Sequence, residues 1–425
     1  MKRPVLILIS DSYPYKGGDG VFLKDEIAVI AERFGEIHIF PMAGKGNPEG
    51  FPSNIQVHEE VRSVLARAKK PNLETVRLYI DALCGKSIWN DLVKVGAKSF
   101  LWTFGRTLHW AMKANVIERE VGNLLAVLED SDVLMYSFWF NAPTFGMGRL
   151  RRRYPNTRLI TRAHGTDLYF NRQPGNRFPF RKETLSCLDG VFLATSEAVA
   201  YMQMNFPEYF EVFHAAPLGT MDYMSSVSDG RPIKLPSPER YRIVSCSSVL
   251  ALKRVDMIID ALSHLENSRN IEIEWMHFGA GRRLDELRAY ASTKLQKTMW
   301  RMPGHVDKEK ILAYYYENPV DCFVTASSSE GGRPVSIMES LCFGIPVVAT
   351  AVGGIPELVD PAVGTLLPEN TSAGIFGEAI ADILIRSRNI ELRRACRERW
   401  EERCQAKLNY SDFADSILNL FTKRE

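Results

Sequence analysis

Long apolar runs are missing from this 425-residue chain. No stretch reaches about 18 uninterrupted apolar residues, so no membrane-spanning helix is expected. The first ten residues hold a short apolar run without a cleavage site. The seven cysteines form no Cys-x-x-Cys pair, which argues against a zinc site or a disulfide framework. Free thiols fit a reducing cytoplasm. Charge of one sign is also lacking. Lys and Arg number 53 against 51 Asp and Glu, and a net +2 predicts no nucleic-acid partner. There is no internal repeat and no long low-complexity tract. No Gly-x-Gly-x-x-Gly follows the first apolar run, which removes the dinucleotide fingerprint and with it an NAD oxidoreductase. Asp130-Ser131-Asp132 is a metal-holding type of triplet, but it precedes a strand instead of following one and reads as a solvated loop.

What is present is an ordinary globular balance, 45% apolar and 24% charged, with length for two or three domains. Apolar runs alternate with helical patterns, the mark of doubly wound α/β architecture. In the first half, strands are expected at Val5–Ile9, Ile37–Phe40, 133–138, 159–161 and 190–196. The loop after the first strand carries Gly17 and Gly18 and feeds a helix, a phosphate-sized cradle or a plain turn. Arg162-Ala163-His164-Gly165-Thr166-Asp167 ends an apolar strand, at the sheet edge where open parallel sheets bind ligands. Residues 60–120 read as helical and basic. Between Val61 and Glu120 there are 11 Lys and Arg against 5 Asp and Glu, an excess of +6. Leu101, Phe104, Leu108 and Met112 keep helical spacing, which suits either core packing or an anionic membrane surface.

The second half is organised around residues 327–350. An apolar strand at Cys322–Val324 gives way to Glu330-Gly331-Gly332-Arg333-Pro334-Val335-Ser336. A helix follows to about Phe343, stopped by Gly344. A glycine loop feeding a helix N-terminus is a ready anion site. Glu339 lies about one turn into that helix. Upstream, Ile243–Val249 is a strand followed by Lys253, Arg254 and a helix. Ile273–Phe278 is a strand ending in Gly279-Ala280-Gly281, and Arg301–Val306 is a strand and turn.

The run from Glu330 to Thr350 resembles the donor-binding signature of retaining glycosyltransferases of family 4, which have the GT-B fold. The His164 element, Lys253, the Gly279 turn and the 301–306 turn resemble further parts of that family. Two departures stand out. Eight residues separate Glu330 and Glu339 where seven are usual, and Ser248 stands where the family has an Arg five residues before Lys253. The resemblance implies two Rossmann-like doubly wound domains facing a central cleft. The expected division is 1–219 (acceptor side), 220–240 (linker), 241–405 (nucleotide-sugar donor) and 406–425 (a helix returning to the first domain).

It also implies retaining transfer of a sugar from a nucleotide-diphosphate sugar to an acceptor hydroxyl on a glycan or a lipid-linked glycan, in bacterial cell-surface polysaccharide synthesis. His164, Lys253 and Glu330 are the expected catalytic residues. Gly17, Gly18, Lys253, Arg254, Gly279, His305, Val306, Glu330, Gly331, Gly332, Arg333, Pro334, Val335, Ser336 and Glu339 are expected at the donor. No metal or other cofactor is expected. The expected location is cytoplasmic, peripheral on the inner face of the plasma membrane. No carboxylate reads as a nucleophile, so internal return and double displacement both stay open. A nucleotide-sugar epimerase and a non-catalytic partner in a polysaccharide-assembly complex are the alternative readings.

Overall fold

The structure, a computed structural model, describes residues 3–15, 18–48, 51–93, 100–128, 131–227, 235–236 and 240–422. The chain divides into two compact units. The first comprises residues 1–216 with 410–425, and the second residues 217–409.

The first unit is built on seven parallel strands: β1 (Val5–Ser10), β2 (Glu36–Pro41), β3 (Ile55–Val57), β4 (Val133–Ser137), β5 (Arg158–Ala163), β6 (Gly190–Leu193) and β7 (Phe213–Ala215). Their order is β3-β2-β1-β4-β5-β6-β7. All six residues of β1 are buried. Val5, Ile7 and Ile9 join one core cluster, while Leu6 and Leu8 point to the other face and are equally buried. A strand covered on both faces has to be apolar at every position, which is why these strands read as runs and not as alternations. Strand order reverses between β1 and β4, so the loops leaving these two strands diverge and open a crevice.

The basic segment forms helices Glu60–Arg67, Leu73–Leu83, Lys86–Leu92 and Phe100–Leu125. Met112 is buried in the core cluster, Phe104 and Leu108 pack partly against it, and Leu101 and Trp102 are exposed. Among the described residues no helix is long and apolar enough to cross a membrane.

The last helix, Ala406–Thr422, passes from the second unit into the first at Tyr410. Within the first unit its socket contains a buried charge. Arg162 reaches Glu26 at 3.0 Å, and both are essentially inaccessible. Tyr136 donates to Glu26 at 2.6 Å, Arg162 donates to the Ala216 carbonyl at 2.7 Å, and its guanidinium stacks 4.1 Å from the Phe413 ring. A buried pair of this kind is stable only while every partner is in place.

The second unit has six parallel strands: β8 (Tyr241–Cys246), β9 (Ile273–Phe278), β10 (Met299–Gly304), β11 (Cys322–Thr325), β12 (Val347–Thr350) and β13 (Gly364–Leu367). Their order is β10-β9-β8-β11-β12-β13, which repeats the reversal between β8 and β11. The span read as a linker opens with Thr220, which is bonded to the end of the same unit: its N–H donates to the Cys404 carbonyl at 2.8 Å and the Ala406 N–H donates back at 2.9 Å. The short helix Tyr223–Val227 follows it.

Candidate active site

In the second unit the loops leaving β8 and β11 meet at the reversal point. The β8 loop ends in a 3-10 turn, Ala251–Lys253, and Arg254 takes a left-handed conformation (φ 44°) before the helix Val255–Ser268. The Ser328 N–H donates to the Leu252 carbonyl at 2.8 Å and ties the β11 loop to the β8 loop. Across this tie Lys253 forms an ion pair with Glu330, and both side chains are mostly buried. The loop after β12 closes the far side. The Gly354 N–H donates to the Gly332 carbonyl at 3.2 Å. Gly353 sits at φ +53°, where a Cβ would come within 2.7 Å of the Glu330 carbonyl oxygen, so glycine alone fits. Gly279, at φ +143°, is forced in the same way: a Cβ would lie 1.8 Å from the Ser247 carbonyl oxygen, which lets the β9 turn press against the β8 loop.

The helix Val335–Cys342 starts after Pro334, which serves as its N-cap residue and accepts from Ile337 and Met338. Ser336, in its first turn, is half-buried. Glu339 is buried and paired with Lys308 at 3.3 Å. Burial pushes the neighbouring Cys246 thiol up to about 12, helped by the Glu339 carboxylate, so that sulfur stays protonated.

Three further expected donor residues have these surroundings. Arg333 is engaged by Glu357 at 2.8 Å and by the Arg403 carbonyl at 2.9 Å, so its guanidinium braces the loop. Arg254 donates to the Ala326 carbonyl at 2.6 Å and supports the β11 loop from beneath. His305 is well exposed, 4.0 Å from Asp307. Its neighbour Val306 instead lines a cavity of about 610 Å³ with Met276, Trp300, Arg301, Met302 and Pro303.

In the first unit the corresponding edge is built by two aspartates, Asp167 of the His164 element and Asp19, which the sequence reading did not single out. Asp19 is buried, and its carboxylate accepts from the N–H groups of Asp11 (2.5 Å), Ser12 (2.9 Å) and Tyr13 (3.0 Å) and from the Ser12 hydroxyl (2.8 Å). That one side chain sets the shape of the loop carrying Gly18. Gly17 lies outside the described residues, as does Asp130. Asp132 precedes β4, and its carbonyl accepts from Val5 at the amino end of β1, the edge opposite the crevice. Asp167 does for the β5 loop what Asp19 does for the β1 loop. It accepts from the His164 N–H at 2.7 Å and from the Phe140 N–H at 2.8 Å.

The His164 ring is packed against Phe138 (centroids 4.6 Å) and Trp139 (4.7 Å). Burial lowers its pKa, against the raising effect of Asp167, so the imidazole is neutral at pH 7. His164 Nε2, Trp139 Nε1 and Asn141 Oδ1 are buried and lack a hydrogen-bond partner. Such atoms are costly unless something completes them. Trp139 and Asn141 line a cavity of about 240 Å³ together with Asp11, Trp110, Thr166 and Gln173. The Asp11 carboxyl is pushed up by burial and then by Asp19.

Residues 229–403 match the family model for glycosyl transferases group 1. The match covers less than half of the chain, and over these residues the chain is similar to that family. The group 1 domain therefore coincides with most of the second unit, including Lys253, Glu330 and Glu339. Over 149 residues the chain is 28% identical to the putative colanic acid biosynthesis glycosyltransferase WcaL of Escherichia coli, covering 34% of this chain and 36% of WcaL. The chain thus matches about a third of the length of that relative. Similarity of 22% over 399 residues, 90% of this chain and 89% of the relative, links it to a GDP-mannose-dependent monoacylated alpha-(1-6)-phosphatidylinositol monomannoside mannosyltransferase of Corynebacterium glutamicum. In fold it resembles sucrose-phosphate synthase from Thermosynechococcus elongatus, with TM-score 0.68, 16% identity and coverage of 99% and 100% of the two chains. Such neighbours give the two α/β units the GT-B fold.

Proposed function

We propose that the protein is a glycosyltransferase that moves a sugar from a nucleotide-diphosphate sugar to an acceptor hydroxyl in polysaccharide or glycolipid synthesis. The reading rests most heavily on one observation. At the reversal point of the group 1 domain, a largely buried lysine, Lys253, and two carboxylates, Glu330 and Glu339, meet a glycine loop and a helix N-terminus. A diphosphate entering there competes with Glu330 for the Lys253 ammonium and finds the N–H groups of the first helical turn. Glu330 and Glu339 then accept from donor hydroxyls. The named functions of the relatives support a nucleotide-sugar donor and a glycan or glycolipid acceptor.

In the proposed reaction the bond between the anomeric carbon and the diphosphate oxygen breaks. The leaving diphosphate gains charge that Lys253 and the loop amides stabilise. The acceptor oxygen bonds to the anomeric carbon from the same face, and its proton passes to the departing phosphate oxygen, so configuration is retained. In the first unit His164, neutral and with no partner for Nε2 among the described residues, is suited to accept from a sugar hydroxyl. Metal independence and a peripheral membrane location belong to the same proposal.

The test is nucleotide release from a panel of nucleotide sugars, with and without glycan or lipid-linked acceptors and with and without EDTA. Acceptor-dependent release with retained configuration supports the reading. Acceptor-independent epimerised sugar would replace it with an epimerase. Loss of activity in EDTA, restored by magnesium or manganese, would overturn metal independence.

A further inference from the structure

A second cavity of about 330 Å³ lies in the first unit, away from the loops described above except for a shared wall at Phe178. Its lining combines Phe170, Phe178, Phe180 and Phe206 with Arg177 and Arg181. Three of these four rings are buried.

Arg181 is 6% exposed. Its guanidinium is sandwiched 3.6 Å from the Phe140 ring and 4.0 Å from the Phe178 ring, and Nη2 donates to the Asp167 carbonyl at 2.6 Å. Among the described residues no carboxylate is bonded to it, and Nη1 has no partner. The other charges of the lining are matched. Arg177 is bonded to Asp91, Lys182 to Glu208 at 3.0 Å, and Glu183 to Arg152 at 3.2 Å. Arg177 Nη1 is also buried without a partner. Arg106 joins the group from the helix Phe100–Leu125, donating to the Arg177 carbonyl at 2.9 Å. Burial and the nearby Arg177 lower the pKa of Arg106. Burial pushes Arg181 down to about 9, still cationic at pH 7.

A buried guanidinium without a counter-charge is expensive. Arg177 has Asp91, but Arg181 and Arg106 have no bonded carboxylate among the described residues, and that excess of positive charge favours a doubly charged anion over a single carboxylate. The phenylalanine walls ask for hydrocarbon beside that charge. The rim agrees: Trp89 and Val93 flank Asn90 and Asp91 at one side, Met204 adjoins Asn205 at another, and all three apolar side chains are exposed.

We propose that this cavity binds a phosphate ester carried on an apolar chain. The phosphate bonds Arg177 and Arg181, and the first carbons of the chain lie on the phenylalanines. It rests on the proposed function only in naming that ligand the acceptor's carrier, whose sugar would reach the cavity of Trp110 and Trp139 past Phe178.

The probe is decyl phosphate below its micelle-forming concentration, titrated calorimetrically into the full-length protein without nucleotide. The expected affinity is at least about tenfold above that for decanol or inorganic phosphate, the gain of one charge-assisted contact. Arg181→Gln should remove that advantage and leave decanol binding unchanged. Because Arg181 is buried, Asn90→Trp is the second variant. It fills the cavity from an exposed rim position and should abolish decyl phosphate binding with Tm unchanged. If only monomeric probe binding is lost, the source is a single carried molecule; if co-sedimentation with phosphatidylglycerol vesicles also drops, it is a bilayer headgroup. Equal affinity for decyl phosphate in the wild type and both variants, or decanol matching decyl phosphate, overturns the proposal. UDP and GDP titrations on the same samples report the other unit, so failure of donor binding and failure of this site are read separately.

Discussion

The two sheets share one topology, yet their carboxyl edges are chemically opposite. In the second unit the edge is charged and paired: Lys253 with Glu330, Lys308 with Glu339, Arg333 with Glu357. In the first it is aromatic, with polar atoms of His164, Trp139 and Asn141 left without partners. A paired edge holds its cations in place and exchanges a carboxylate for a ligand phosphate at little cost in desolvation. An edge of indole faces and unfilled polar atoms suits a neutral ring with many hydroxyls. On the proposed reading one topology serves two ligand chemistries, and the difference lies in side chains on loops.

The largest expected effect comes from breaking the charge buried inside the first unit. Arg162→Met leaves Glu26 buried without its cation and should lower that unit's stability by about 3–5 kcal/mol. Urea unfolding followed by near-UV circular dichroism would show a separate early transition, and a single unshifted transition would refute the socket. Next, Lys253→Ala removes the cation that pairs with Glu330 and that the proposed function assigns to the leaving diphosphate. The expected loss in kcat/KM is roughly a hundred- to a thousandfold, about 2.7–4 kcal/mol, with nucleotide affinity falling alongside. Retained nucleotide affinity would show that the paired edge is not the donor site.

His164→Ala tests the unpaired edge. A roughly hundredfold fall in kcat, about 2.7 kcal/mol, should leave nucleotide affinity nearly unchanged. Because burial lowers the pKa of His164, wild-type kcat should not drop as pH falls through 6.5, the ordinary histidine value. A titration at that value would mean an exposed imidazole.

The smallest effect concerns Asp222, bonded to Arg397 at 2.7 Å in the second unit. Burial raises its pKa, but the bonds from Arg397 and Ser225 win and hold it at about 2, below the ordinary 3.8. A depressed carboxylate stabilises the native state above its unfolded pKa and loses that contribution as pH falls towards the folded value. Allowing for partial exposure, Asp222→Asn should cost about 1–2 kcal/mol at pH 7. The gap between variant and wild type should close between about pH 4 and pH 2, and a gap constant with pH would remove the pair from the ledger.

The two regions also differ in how much the sequence disclosed. Fully buried parallel strands leave apolar runs, so β1, β4 and β11 were legible by residue type alone. Lys253, Glu330 and Glu339 were legible because loop, helix start and carboxylates fall within short spans. Asp167 was legible only as a neighbour of His164, and Asp19 not at all, since a single aspartate in a loop has no period and its partners are backbone N–H groups. The Arg333 ion pair was hidden for a related reason: its carboxylate, Glu357, lies on the next loop, where spacing says nothing of contact. Arg162 and Glu26 look like solvated charges until the fold brings them together beneath Phe413.

That last contact has a consequence for synthesis. The first unit starts at the amino terminus, but its socket is closed by residues 410–425. On a ribosome adding about 5–20 residues per second, residues 217–409 take roughly 10–40 s to emerge. Throughout that interval Arg162 and Glu26 lack the Phe413 cover. The unit begun first is therefore finished last, and a nascent chain stalled before Phe413 has emerged would present a first unit still waiting for its lid.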